Sequence, residues 1–263
     1  MSTWRSFAAL ACAMVVATAA DLGPDLRNAA RKGDAAAIAS LLSKGASVDS
    51  ADKQGRTPLM LAAERGRAAA VKLLLEKGAK ADARDRQGWT AYGLAVMEGR
   101  DEVVRLFPAR EPVAAALEVA VAMDNVYTSC FLKPRELADQ VAGIQVDAMV
   151  AAAVRDFASA NGKGLLKFVD NGQQITVAVK VRPAVSCLQQ QTLDNLTLAI
   201  DVRILRTSDQ AVLLEKTLGG GLKGLKARTV SSPVQYAPLF SDWAKAHASQ
   251  IYWAAVEAWL RAR

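Results

Sequence analysis

The sequence predicts an α solenoid of about three helix pairs, followed by an α+β domain with an antiparallel sheet. A repeat of 33 residues runs from Asp25 to Phe107, a length typical of helix-pair units. Beyond residue 111 the repeat is lost, and apolar and polar residues alternate as they do in half-buried strands. We therefore predict a signal peptide at residues 1–20, a repeat domain at 21–110, and an α+β domain at 111–263 whose role the sequence does not identify.

The first segment has the composition of a signal peptide. A short basic start that includes Arg5 precedes an apolar run from Phe7 to Val16, and small residues lead up to Asp21. We expect cleavage after Ala19 or Ala20 and a periplasmic or secreted protein. The apolar run is shorter than the roughly 20 residues of a membrane span. An uncleaved anchor and lipidation at Cys12 remain alternatives.

Composition and charge limit the classes of partner. With 52% hydrophobic and 22% charged residues, the chain has the composition of a packed protein. Its net charge of +7 is spread along the sequence without a compact basic block. We therefore predict a protein partner and no nucleic acid. A weak, peripheral attraction to an anionic membrane remains an alternative.

Two cysteines are left once the signal peptide is removed. Cys130 and Cys187 are an even pair in an oxidising compartment, where disulfides form and persist. The sequence therefore predicts a bond between them. Two unpaired buried thiols are the alternative.

The repeat positions have identifiable structural roles. Thr57 is placed to cap a helix that begins at Pro58, and Gly66 to end it. Leu73 to Leu75 supply the apolar face of a second helix. Positions that recur one period apart include Gly33, Gly66 and Gly99, Gly45 and Gly78, Asp52 and Asp85, Gly55 and Gly88, and Thr57 and Thr90.

This middle unit closely resembles the ankyrin-repeat family, and the resemblance covers about a third of the chain. It implies antiparallel helix pairs with protruding hairpin fingers, used mainly to bind other proteins, with no cofactor and no catalysis. The flanking units differ from the middle one. The first lacks the Thr-Pro-Leu opening, and the third has Ala91 in place of the proline and is interrupted early by Pro108. Such departures are typical of capping repeats.

The resemblance also selects candidate partner-binding residues, because ankyrin stacks usually make contacts through the fingers and the inner face of the first helices. The candidates are Lys53, Arg56, Arg84, Arg86 and Trp89 on the fingers, and Arg31, Glu64 and Met97 on the helices. A solvated charged face is the alternative for each charged residue.

Trp89 stands out among these candidates. It takes the repeat position that Arg56 occupies one unit earlier, so the scaffold does not require an aromatic residue there. Tryptophan and arginine are frequent in binding hot spots. Packing against the second domain or a neighbouring finger is the alternative for Trp89.

The sequence of the second half predicts helices packed around a sheet. We expect helices at Pro112 to Met123, Val146 to Ala160 and Pro238 to Arg261, and strands at Ile175 to Arg182, Leu196 to Ile204 and Ala211 to Leu218. The first of these helices would cover the open end of the repeat stack. The order of elements is loosely similar to small α/β domains of bacterial envelope proteins, without a diagnostic motif.

Chemical motifs give little support to catalysis. The Gly219 to Gly224 segment has a Gly-x-Gly-x-x-Gly spacing but lacks a following helix, which favours a loop. His247 is the single histidine and lies on an apolar stripe, which favours a core position over a metal site. We predict no catalytic residues, no metal and no cofactor. A second domain that binds a ligand or acts as an enzyme, and that the stack docks or regulates, is the alternative.

Overall fold

The computed structural model describes residues 21–108, 110–121, 145–170, 173–186, 195–221 and 237–262. The chain divides after Ala109 into two compact units. The predicted signal peptide, Cys130 and Cys187 lie outside the described residues. Within the described part of the chain, every helix is too short or too polar to cross a membrane.

The first unit consists of three helix pairs. In each pair the two helices pack against each other, and the first helices stack in sequence, α1 on α3 and α3 on α5. Fully buried side chains such as Leu26, Leu59 and Leu74 fill the space between them. The helices are α1 (Gly23–Lys32), α2 (Ala35–Ser43), α3 (Pro58–Glu64), α4 (Ala68–Glu76), α5 (Ala91–Met97) and α6 (Asp101–Val104).

Capping residues set the bounds of these helices. The Thr57 hydroxyl accepts a hydrogen bond from the Met60 amide at 3.3 Å, and the Thr90 hydroxyl accepts one from the Gly93 amide at 3.1 Å. Gly66 follows α3 with a φ of +69°, a backbone conformation that favours glycine. The caps that the sequence predicts are therefore present.

The second unit is a five-stranded mixed sheet with two helices. The strand order is β2-β1-β3-β4-β5. β1 pairs in parallel with β2 and β3, whereas β3, β4 and β5 pair antiparallel. The elements are β1 (Val113–Val121), α7 (Val146–Asn161), β2 (Leu166–Phe168), β3 (Ile175–Ser186), β4 (Asn195–Arg206), β5 (Val212–Gly221) and α8 (Ala237–Ala262).

The core of this unit lies between one face of the sheet and the two helices. Val177 on β3 and Val202 on β4 are buried on that face, and α7 packs against α8. On the opposite face, Lys180, Arg182 and Arg203 are exposed. The predicted alternation of buried and wet positions in these strands is confirmed.

Three expectations for this unit need correction. The helix predicted at Pro112 to Met123 is wrong, because Val113–Val121 is a strand that lies between β2 and β3. The predicted antiparallel sheet is confirmed for β3 to β5, but β1 and β2 add parallel strands to it. In addition, Gly219 to Gly221, interpreted as the start of a loop, form the end of β5.

Candidate functional site

A groove of about 300 Å³ lies between the first two helix pairs. We call residues 45–57, which follow the Lys44 cap of α2 and lead to α3, finger 1, and residues 78–90, which follow the Lys77 cap of α4 and lead to α5, finger 2. The groove lies between α1, finger 1 and α3. Its lining residues are Pro24, Arg27, Asn28, Arg31, Asp52, Arg56, Leu61, Glu64 and Arg65.

Finger 1 is folded around the Asp52 carboxylate. One of its oxygens, Oδ1, accepts hydrogen bonds from the amides of Gln54 at 2.9 Å and Arg56 at 2.8 Å. The Asp52 amide in turn donates to the Arg56 carbonyl at 3.1 Å. These bonds fix the backbone from which the Arg56 side chain extends.

Arginine side chains join finger 1 to the neighbouring helices. Arg27 on α1 donates from Nη1 to the carbonyls of Ser50 and Ala51, at 3.2 Å each. Arg56 forms an ion pair with Glu64 on α3, and both side chains are half-buried. The groove is therefore bounded on both sides by contacts of finger 1.

The same geometry recurs one repeat later. In finger 2, Asp85 Oδ1 accepts from the amides of Gln87 at 2.9 Å and Trp89 at 2.8 Å. The Arg86 amide donates to the Gln54 carbonyl at 2.9 Å, which links the two fingers.

A second tie between repeats also recurs at the 33-residue spacing. Arg100 donates from Nε to the Glu64 carbonyl at 3.1 Å, as Arg67 does to the Arg31 carbonyl at 3.5 Å. Each of these arginines joins its own repeat to the preceding one. The unit is therefore a stack of equivalent modules in sequence and in geometry.

Comparison with known proteins agrees with this geometry. A family model for ankyrin repeats, in three copies, matches residues 26–111. Residues 26–111 are ankyrin repeats. Because ankyrin repeats are a protein–protein interaction fold, this part of the chain is an interaction module. A search of curated proteins found no match for the chain.

The ankyrin stack brings three of the predicted binding residues together. Arg31, Arg56 and Glu64 line the groove. Lys53, Arg84 and Arg86 are exposed on the fingers and do not line it. Met97 is half-buried at the end of α5, one repeat away from Glu64.

Trp89 packs against its own repeat. It is half-buried, and its ring atom Cε3 lies 3.2 Å from the position that a Cβ on Gly93 would occupy. One repeat earlier, Arg56 and Met60 hold the equivalent positions. Trp89 is thus larger than its counterpart Arg56, and Gly93 is smaller than its counterpart Met60. This contact within the repeat was not among the predicted alternatives, although the paired change of size is visible in the sequence.

Sequence analysis did not select the other six residues that line the groove, Pro24, Arg27, Asn28, Asp52, Leu61 and Arg65. Arg27 and Arg31 lie one helical turn apart and share a face of α1, a spacing that could have indicated them. Arg65 directly follows α3 and is exposed. On α1 the family positions selected Arg31 but not Arg27.

The second unit contains a separate cavity of about 490 Å³ between α7 and the strands β1 and β2. Arg155, Ser159, Lys167 and Phe168 are among its lining residues. His247 is half-buried, with Nδ1 2.8 Å from the Trp243 carbonyl oxygen. Among the described residues no three His, Cys, Asp or Glu side chains are grouped so that they could hold a metal ion.

Proposed function

We propose that the chain is an exported, non-enzymatic protein, periplasmic or secreted, whose ankyrin stack binds another protein. The groove between α1, finger 1 and α3 is the observation that supports this proposal most. It places Arg31, Arg56 and Glu64 in one recess of an interaction fold. Export is supported by the composition of residues 1–20, which includes the apolar run before Ala19 and Ala20.

The proposed contact surface extends from the groove along the fingers. Finger 2 is hydrogen-bonded to finger 1 through the Arg86 amide, so the exposed side chains of the two fingers belong to one continuous surface. The half-exposed Trp89 on finger 2, which does not line the groove, supplies an aromatic contact. A cationic recess and an aromatic residue outside it suit a partner segment with a polar part and an apolar part.

Capture from an envelope extract tests the binding proposal. The mature chain is immobilised and retained proteins are identified, with an Arg31→Ala, Trp89→Ala variant beside it. We expect wild type to retain a partner that this variant loses. A Lys72→Ala, Lys77→Ala variant, changed on and just after α4 at exposed positions outside the groove, serves as the control. Retention of the same protein by every variant would remove the groove and Trp89 from the contact surface.

The alternative function concerns the cavity beside α7. Its volume lies within the range of small-molecule sites, and Arg155 and Lys167 give it a cationic lining. If the second domain is the functional part, an Arg155→Ala, Lys167→Ala variant should lose a bound or turned-over small molecule and keep the protein partner. Loss of the small molecule from this variant alone, with the protein partner retained, would favour the alternative.

Cell fractionation tests the proposed location. We expect the chain in the periplasmic or extracellular fraction, with a mass that corresponds to loss of the residues before Asp21 or before Ala20. An unprocessed chain in the membrane fraction would instead support the uncleaved anchor.

A further inference from the structure

We infer that the groove between α1, finger 1 and α3 binds an acidic peptide segment of the partner, and this inference rests on the proposed function. Four of its nine lining residues are arginines, Arg27, Arg31, Arg56 and Arg65, whereas its acidic residues are Asp52 and Glu64. The groove therefore has an excess of positive charge.

Both acidic side chains are already engaged by the protein itself. The Asp52 carboxylate accepts two backbone amides of finger 1. Glu64 is paired with Arg56. Among the described residues, neither carboxylate forms an ion pair with Arg27, Arg31 or Arg65.

The remaining arginines have donors to spare. A guanidinium has five N–H donors, and Arg31 uses one of them on Asn28 Oδ1 at 3.1 Å. Arg27 uses only Nη1, on two backbone carbonyls. The Arg65 side chain makes no hydrogen bond or ion pair with any described residue. Carboxylates match these planar donors, because they can accept two parallel N–H bonds.

The ankyrin scaffold does not require these arginines. One repeat later, the positions of Arg27, Arg31, Arg56 and Arg65 are occupied by Met60, Glu64, Trp89 and Glu98. The same architecture is thus built there from apolar and acidic side chains. The positive charge is a property of this one groove and points to its occupant.

The occupant is a second molecule and not a further part of this chain. Residues 122–144, between β1 and α7, contain three scattered acidic residues, and two basic residues, Lys133 and Arg135, separate the first of these from the other two. Residues 222–236 contain basic residues and no acidic one. No acidic run is available within them. A recess of about 300 Å³ is at the lower limit for ligand pockets. It accommodates a short stretch of peptide, whereas a flat lipid surface would reach only its rim.

Peptide binding to the mature chain tests this inference by fluorescence anisotropy. The probe is a short fluorescein-labelled peptide in which glutamates alternate with glycines, and its counterpart has glutamines instead. We expect the glutamate peptide to bind more tightly, and the preference to fall as salt screens the charges. Arg31→Gln, Arg65→Gln should weaken its binding by about fivefold or more. Lys72→Gln, Lys77→Gln, at exposed positions of the same repeat stack, should leave it unchanged.

A charge reversal makes the test independent of folding defects. Arg31→Glu, Arg65→Glu should lose the glutamate peptide and gain affinity for a matched lysine peptide, which an unfolded variant would not do. Equal affinity of wild type for the glutamate and glutamine peptides would overturn the inference. Tighter, arginine-dependent binding of anionic vesicles or of a single-stranded oligonucleotide would also overturn it.

The extract capture separates this inference from the proposed function. If Arg31→Gln, Arg65→Gln retains the same partner as wild type, the acidic-segment inference fails and the interaction module stands. If wild type retains no protein at all, the proposed function fails, whatever the peptides show.

Discussion

The Tyr252 hydroxyl joins three elements of the second unit. It donates to the Gly162 carbonyl at 2.5 Å, just after α7, and accepts from the Leu166 amide at 3.2 Å, at the start of β2. Tyr252 lies on α8, its side chain is fully buried, and burial raises the pKa of its hydroxyl. The hydroxyl therefore stays protonated and serves as a structural donor.

Removing that hydroxyl should destabilise the second unit. Tyr252→Phe keeps the ring, which contacts Phe157 at a centroid distance of 5.6 Å, but leaves the buried Leu166 amide without its partner. We expect the free energy of unfolding to fall by about 1–3 kcal/mol, as measured by urea denaturation. A change below about 0.5 kcal/mol would show that water or another group satisfies the amide.

At Trp89, stability and binding should both change, because the ring packs on Gly93 and is half exposed. Trp89→Ala should lower the free energy of unfolding by about 1–2 kcal/mol, less than the roughly 3–5 kcal/mol of a fully buried aromatic residue. If the exposed face anchors a partner, binding weakens by a further 2 kcal/mol or so. Thermal melts and affinities measured below the melting range separate the two effects. A loss of stability with unchanged affinity would leave Arg56, Arg84 and Arg86 as the finger candidates.

Asp201 should make the stability of the sheet depend on pH. Arg182 donates to its carboxylate at 2.7 Å, and this hydrogen bond holds the pKa of Asp201 below its usual range. A carboxyl with a lowered pKa in the folded state contributes stability above its unfolded pKa of about 3.9. That contribution is lost as pH falls through the folded pKa. Wild type should therefore lose more stability than Asp201→Asn as the pH is lowered below about 4.

Urea denaturation across this pH range measures the difference. Arg182→Ala, which removes the guanidinium donor, should reduce the acid-dependent loss toward that of Asp201→Asn. An unchanged loss in Arg182→Ala would show that Arg182 is not the cause, and that Thr217, which also donates to Asp201, or other carboxyls produce the acid dependence.

Among the elements, α3 and α5 begin in the same way and offer a matched pair of tests. Thr57 and Thr90 are each 5% exposed, and each caps its helix through the side-chain oxygen. Alanine at either position should cost about 1 kcal/mol of stability, because one helix amide loses its acceptor. Ser43→Ala at the exposed end of α2 is the control, with an expected change within about 0.5 kcal/mol. Equal losses in all three variants would argue against a specific cap.

The elements that sequence analysis predicted correctly are those with local signals. Thr57, Pro58 and Gly66 define α3 within its own segment, and the alternation of β3 and β4 follows from their own residues. β1 was misassigned because Ala114 to Ala116 favour a helix in isolation. Its position between two parallel strands decides its conformation, and that pairing joins residues far apart in sequence. β2 has only three residues and was not predicted.

The candidate site, too, was predicted only where the sequence signal is local. Family positions identified Arg31, Arg56 and Glu64, but the recess they share with Arg27 and Arg65 depends on how α1 stacks on α3. Stacking is not visible in a single repeat. The contact of Trp89 with Gly93, in contrast, is encoded locally, because Trp89 and Gly93 replace the Arg56 and Met60 of the preceding repeat as a pair.

At the scale of the whole molecule, the sheet topology bears on the predicted disulfide between Cys130 and Cys187. β1 and β3 are parallel neighbours, with Val121 opposite Val181, so both strands run toward the same end of the sheet, and β3 continues five residues further, to Ser186. Cys187 directly follows β3, and Cys130 follows the end of β1 by nine residues. The chain therefore enters both cysteine-containing segments from one end of the sheet.

A bond between these cysteines would tie the β1–α7 connection to the β3–β4 connection. Closing a loop of that length is worth about 4 kcal/mol in the chain-entropy model, less any strain in the folded state. We expect thiol labelling of the denatured, unreduced mature protein to detect no free thiol. Reduction should lower the denaturation midpoint of wild type but leave Cys130→Ala, Cys187→Ala unchanged. Two reactive thiols per chain would contradict the bond.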